Sequence, residues 1–191
     1  MLFLPAILEV RRRIEEGALG QITMAELSHS FPASYNGWMF DESAGGGPLL
    51  SSGIYAVQLI QWLFGPIVRI EGVKSALETG VEWQYVLTGE TEQGVLFSAK
   101  NSTRAILDNT AKLYGSAGWV EIPEYWKARK AIFHWADGTV ETLEYPCQHE
   151  LIYEAKHIAQ CMEKGLLTSP VVTPQVTLDG IEAIERIKKI W

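Results

Sequence analysis

Cysteine is scarce: Cys147 and Cys161 are the only two in 191 residues. Two thiols make no disulfide framework and fit a reducing compartment, so a cytoplasmic protein is expected. Long apolar runs are missing too, and none reaches the length that crosses a bilayer. Residues 1 to 8 are apolar but carry neither a charged leader nor a cleavage site, so they do not read as a signal peptide. Positive charge is thin: 16 Lys and Arg stand against 23 Asp and Glu, for a net charge of −7. The only basic runs, Arg11-Arg12-Arg13 and Lys188-Lys189, are short. Such a chain repels phosphates, which sets nucleic acid aside as a partner.

Phosphate-gripping glycine turns are also missing. Gly45 and Gly47 have the spacing of a G-x-G-x-x-G turn, but Leu50 stands where its third glycine belongs. No glycine loop runs into G-K-[ST], so the phosphate cradle of an ATPase is absent. The chain alone is therefore expected not to hold a dinucleotide tightly. His157 and Cys161, four residues apart, are too few for a metal site without ligands from elsewhere. No histidine is placed to activate a serine, which argues against a Ser–His nucleophile.

What is present centres on Gly45-Gly46-Gly47-Pro48-Leu49-Leu50-Ser51-Ser52-Gly53-Ile54-Tyr55. Glycines here let the backbone pass close to a ligand, and Pro48 presets the first turn of a helix. Leu50, Ile54, Val57 and Phe64 then recur at helical spacing. Ser51, Tyr55, Gln58 and Trp62 share a second face of that helix, which is either the wall of a site or a polar seam against a neighbour. Upstream, residues 32 to 47 read as a loop carrying Tyr35, Trp38, Met39 and Phe40, either folded back on the core or facing a substrate as a lid.

The rest of the 191 residues reads as a single domain. A helix is predicted over 4–16, ended by Gly17, and strands over 22–31, 67–76, 81–87, 95–100, 110–114, 119–122, 131–135 and 139–145. Asp137-Gly138 marks a hairpin. Glu82 and Gln84 read as the polar side of their strand, facing solvent or a partner. Two helices close the chain. The first, 149–163, carries Leu151, Ile152, Ala155, Ile158, Ala159 and Met162 on one face, and the second is capped by Thr173-Pro174. Strands joined by short turns without intervening helices predict an α+β fold: an open, mainly antiparallel sheet with helices on one face.

The GGG-x-LL-x-x-G-I-Y run, the Trp62-to-Gly65 helix end and the early Phe3-Leu4-Pro5 and Glu15-Glu16-Gly17-Ala18-Leu19-Gly20-Gln21-Ile22 segments resemble the second half of the Gfo/Idh/MocA oxidoreductases. Within that family the dihydrodiol dehydrogenase and glucose–fructose oxidoreductase branch is the most similar. The resemblance implies a substrate-binding and dimerising domain, with the NAD- or NADP-binding domain absent from residues 1–191. It also implies a sugar, polyol or diol substrate and a homodimer formed through the open sheet face. Tyr55 matches the position of the family's catalytic His or Tyr, whereas Ser51 stands where the family has an acidic residue. Serine keeps a hydrogen bond there but holds no charge. Ser51, Gly46, Gly47, Trp38 and Trp126 are candidates for substrate contact, the two indoles as platforms for a sugar ring or, alternatively, as buried packing. The rival reading is a non-catalytic ligand-binding or assembly module.

Overall fold

The computed structural model describes residues 1–34 and 37–191; Tyr35, one of the loop aromatics named above, lies outside the described residues. The elements run α1 (Pro5–Glu15), β1 (Ile22–Ser30), α2 (Ile54–Phe64), β2 (Ile67–Ala76), β3 (Glu82–Thr91), β4 (Leu96–Ser102), β5 (Thr110–Gly115), β6 (Gly118–Pro123), β7 (Lys130–Trp135), β8 (Val140–Glu144), α3 (Ile152–Glu163) and α4 (Pro174–Ile190). Between β1 and α2 lie two 3-10 turns, Trp38–Phe40 and Glu42–Ala44, and a π turn, Leu49–Gly53.

The strands form one eight-stranded sheet in the order β2-β3-β4-β1-β5-β6-β7-β8. Consecutive strands from β2 to β4 and from β5 to β8 are antiparallel neighbours, as short turns dictate. β1 joins those two meanders by lying parallel to β4 and antiparallel to β5. A parallel pair needs a long crossover, and here α2 with β2 and β3 supplies it. The expected α+β architecture, an open and mainly antiparallel sheet, is what the chain adopts.

Alternation decides which side each strand buries. Ala25 and Leu27, Leu87, Phe97 and Ala99, Leu113, Val120 and Ile122, and Phe133 point to one side and are buried there. On that side they meet Ile7 and Val10 of α1, Val57, Leu59 and Ile60 of α2, and Ile184 and Ile187 of α4. Each fully buried aliphatic side chain contributes about 1.5–3 kcal/mol, so this layer holds the fold together. On the other side Met24, Val73, Val86 and Leu96 are exposed, and no described helix covers them.

Two expectations are corrected. Glu82 does not meet solvent. The β2–β3 register slips between Ser75 and Ala76, a bulge that re-aims Glu82 into the protein, where it is 7% exposed. Gln84, two residues on, stays on the outer side and donates from Nε2 to Ser75 Oγ at 3.2 Å. The second correction concerns α3. Its apolar face is the side a helix ordinarily buries, yet α3 buries no residue, and Ile158 and Met162 are 59% and 74% exposed.

Candidate functional site

The site begins at the glycine loop, and here the glycines serve the chain itself. A Cβ on Gly46 would fall 2.4 Å from the Met39 carbonyl oxygen. One on Gly47, whose φ is +122°, would fall 2.3 Å from a carboxylate oxygen of Glu82. Glu82 Oε1 accepts the Leu49 N–H at 2.8 Å, so a buried side chain from β3 caps the helix entrance. The glycine loop is thus filled by Met39 and Glu82 of the chain itself and is no open cradle for a pyrophosphate.

Past Pro48 the backbone winds as the π turn Leu49–Gly53 before settling into α2. Such turns are rare and often lie at functional sites. This one displaces Ser51 and Ser52 relative to the α-helical register. Ser52 Oγ donates to the Pro48 carbonyl at 3.0 Å and accepts from Asn101 Nδ2 of β4 at 2.7 Å. The same Asn101 nitrogen faces His29 Nδ1 of β1 at 3.5 Å. Asn101 is 2% exposed, and among the described residues neither its Oδ1 nor the buried Ser51 Oγ has a hydrogen-bond partner. Gly53 must be glycine, because a Cβ there would fall 2.1 Å from the Tyr85 hydroxyl. Burial pushes the Tyr85 phenol well above its ordinary range.

His29 is 7% exposed and lies under the Trp126 indole, ring centroids 4.0 Å apart. Burial, reinforced by the Lys127 ammonium, lowers its pKa to about 4, so the imidazole is neutral at pH 7. Trp126 sits edge-on to Tyr125 at 5.4 Å. Tyr125 is 1% exposed; burial raises its pKa first, and the neighbouring Tyr55 raises it further. Tyr125, Trp126, His29, Asn101 and Ser52 thus form one continuous group, and Tyr55, half-buried on the first turn of α2, lies within electrostatic reach of Tyr125.

The helix face that joined Ser51 and Tyr55 to Gln58 and Trp62 divides in two. Gln58 lies against Gly180 of α4, and the Arg11 guanidinium of α1 stands 4.1 Å over Trp62. That lower half is the polar seam, leaving Ser51 and Tyr55 at the entrance. Trp38 is 61% exposed on the first 3-10 turn. Sequence reading missed His29, Asn101, Tyr125 and Glu82. Only the alternation pairing His29 with Asn101 across β1 and β4 could have raised two of them, and it required knowing that these strands are neighbours. Among the described residues no cluster of three or more His, Cys, Asp or Glu could hold a metal ion. No described helix is long and apolar enough to cross a membrane.

Residues 7–121 match the family described as the GFO/IDH/MocA C-terminal domain. The chain belongs to that family. Among curated relatives, trans-1,2-dihydrobenzene-1,2-diol dehydrogenase of Mus musculus is 30% identical over 181 residues, covering 89% of this chain and 54% of the mouse protein. The Sus scrofa enzyme of the same name is 26% identical over 197 residues, covering 98% and 59%. The GFO/IDH/MocA domain thus spans a little over half the length of the relatives it matches. Among solved structures, levoglucosan dehydrogenase in complex with NADH and levoglucosan superposes with a TM-score of 0.83 at 18% identity, covering 99% of this chain and 62% of that one. The aldose-aldose oxidoreductase of Caulobacter crescentus, complexed with glycerol, gives 0.85 at 21% identity, covering 99% and 59%. These two likenesses establish the shared fold.

Proposed function

We propose that this domain is the substrate-binding and dimerising half of a cytoplasmic NAD- or NADP-dependent oxidoreductase acting on a sugar, polyol or diol carbon. The observation that carries the reading is the π turn beside Tyr55. It carries Ser51 and the half-buried Tyr55 on one side of the helix, and the buried Ser51 Oγ and, on β4, Asn101 Oδ1 have no hydrogen-bond partner among the described residues. Buried acceptors of this kind are what the hydroxyls of a small polyol satisfy. Tyr55 is the group for the proton of the reacting hydroxyl, since a phenol both donates and accepts. Trp126 offers an apolar ring for the carbon face of the substrate, and Trp38 on its turn stands as a candidate lid. Gly46 and Gly47 contribute by keeping the loop tight against Glu82. The relatives' names, a diol dehydrogenase and a levoglucosan dehydrogenase, agree in substrate class.

The open sheet face is the homodimer surface in this reading. Its groove, lined by Met24, Arg69, Glu71, Thr88 and Leu96, mixes apolar and charged groups as a subunit interface does. A second reading, a non-catalytic ligand-binding or assembly module, is favoured by Ser51, which offers no carboxylate to orient a substrate. The test is tryptophan fluorescence and NMR titration of the isolated chain with levoglucosan, glycerol and trans-1,2-dihydrobenzene-1,2-diol. Millimolar binding that perturbs Trp126 and weakens at least fivefold in Tyr55→Phe is expected. NADH titration in parallel should show no tight binding. Absence of any polyol-induced shift around Tyr55 and Trp126 overturns the reading.

A further inference from the structure

The π turn Leu49–Gly53 has nothing in its own residues to ask for it. Leucine favours an ordinary α-helix, serine is nearly indifferent, and π turns are rare. The turn is therefore set from outside, and groups of β3 and β4 touch it along its length. Glu82, at the start of β3, accepts the Leu49 N–H at 2.8 Å. The Tyr85 hydroxyl fills the space that a side chain at Gly53 would need. Asn101 of β4, the register partner of Tyr85, donates from Nδ2 to Ser52 Oγ at 2.7 Å. Tyr85, Asn101 and Ser52 are all buried, so bulk water is kept from these contacts. Asn101 is the member that the strand pattern opposes. β4 buries Phe97 and Ala99 against the helix layer, and an amide in the same row is out of keeping with them.

Donor count fixes what this amide does to the turn. An amide nitrogen only donates, so Ser52 Oγ accepts from Asn101 and its single proton goes elsewhere. It goes to the Pro48 carbonyl at 3.0 Å, four residues back. A serine bonded backward in this way competes with the N–H that a helix sends to the same carbonyl, and bends the helix there. Asn101 thus reaches through Ser52 to the backbone at the entrance of the turn. Its Nδ2 also faces His29 Nδ1 at 3.5 Å, where the neutral imidazole, in its Nε2–H tautomer, accepts. Ser52 and His29 thereby hold the amide plane, while Oδ1 stays buried without a partner among the described residues. An unmet buried acceptor is destabilising, so stability gives no reason for an amide at this position.

We propose that Asn101 and Ser52 are a positioning pair: the bond between them holds the π turn in register and so orients Ser51 and Tyr55. This rests on the polyol reading given above and deepens it by naming the groups that aim the site. The positioning is done by Asn101 Nδ2 and is separate from any contact its Oδ1 makes with a substrate hydroxyl. Ser52 spends its hydroxyl on Pro48 and Asn101, so it acts on a ligand only through the turn.

The test compares the wild-type chain with Asn101→Leu, Ser52→Ala and the double variant by NMR, thermal unfolding and titration with glycerol and levoglucosan. Asn101→Leu keeps the branched shape of the amide and removes its hydrogen bonds. Ser52→Ala cuts the same link from the side of the turn and leaves Asn101 Oδ1 in place. Asn101→Leu should move the amide signals of 49–53 and the ring signals of Tyr55. Ser52→Ala should move the same ring signals and the Leu49 amide. The double variant should move the Tyr55 ring signals no further than the larger single change, as residues acting through one contact do. It leaves neither half of the bond unpaired, so its Tm should stay within about 5 °C of wild type. Polyol binding to Ser52→Ala should weaken about fivefold or more, through misplacement of Ser51 and Tyr55. Ser75→Ala, which meets Gln84 on the outer side of the sheet, should change none of these readouts. The proposal is overturned if the Tyr55 ring signals stay at their wild-type positions in Ser52→Ala, the turn then holding itself, or if the two substitutions add. It is also overturned if the double variant loses more than about 5 °C in Tm with shifts spread over the sheet, the pair then being ordinary packing. Should Asn101→Leu lack a cooperative transition, Ser52→Ala alone carries the same prediction. Absence of polyol binding to every form, with the Tyr55 shifts as expected, overturns the polyol reading and supports the positioning.

Discussion

α2 and α3 are nearly equal in length, 11 and 12 residues, and both read from sequence as amphipathic helices. α2 buries Ala56, Val57, Leu59, Ile60, Trp62 and Phe64; α3 buries none of its residues. The difference is one of surroundings. α2 is walled by the sheet on one side and by α1 and α4 on others, so every apolar group finds a partner. α3 comes after the sheet is complete and touches the body through Tyr153, Glu154 and His157. Apolar periodicity marks a face that some surface will cover, and leaves open whether that surface belongs to the same domain.

The comparison breaks most visibly on truncation. Leu59→Ala, at a fully buried position of α2, should cost about 3 kcal/mol, whereas Ile158→Ala in α3 should stay within about 0.5 kcal/mol by urea denaturation. Equal costs would mean that α3 is packed after all. Next comes the glycine entrance. Gly47→Ala forces a side chain against the Glu82 carboxylate at a φ of +122°, and a loss of about 2 kcal/mol is expected. Gly165→Ala, past the end of α3 where no atom lies within 4 Å of a built Cβ, pays only for its positive φ, about 1 kcal/mol.

A third contrast is in pH. His29, under the site beside α2, has its pKa lowered to about 4, while the unfolded chain titrates near the ordinary 6.5. As pH falls, the unfolded state takes up the proton first. The contribution of His29 is thus complete above pH 6.5, is lost between 6.5 and 4, and changes no further below that. Tm measured from pH 7 to 4 should fall less steeply in His29→Gln than in wild type; parallel curves would show that His29 is not the group responsible. The smallest effect is expected at the start of α4, where Thr173 Oγ1 accepts the Val176 N–H at 3.4 Å, a long cap. Thr173→Ala should cost about 0.5 kcal/mol, seen as a small shift in urea midpoint.

Local patterns foretold most of the fold. The strands over 67–76, 110–115, 118–123 and 130–135 each lie within a residue of their predicted bounds, because alternation and short glycine turns are encoded within a few positions. Tyr55 was legible because the glycine run before it is a local signal. Asn101, His29 and Tyr125 were not, since each reaches the site from a strand or turn far along the chain. Glu82 was misread because a bulge, invisible in the alternation, turns it inward.

Residue order alone determined the α+β class and the helix beginning at the glycine run, since each rests on spacing over a dozen residues or fewer. Only the folded chain decided which partner each face meets. The parallel pairing of β1 with β4 brings His29 to Asn101. The helix layer of α1, α2 and α4 covers the sheet without α3, which leaves an apolar stripe of α3 outside. Burial and unmet hydrogen bonds depend on residues distant in sequence becoming neighbours in space, and no local pattern records that.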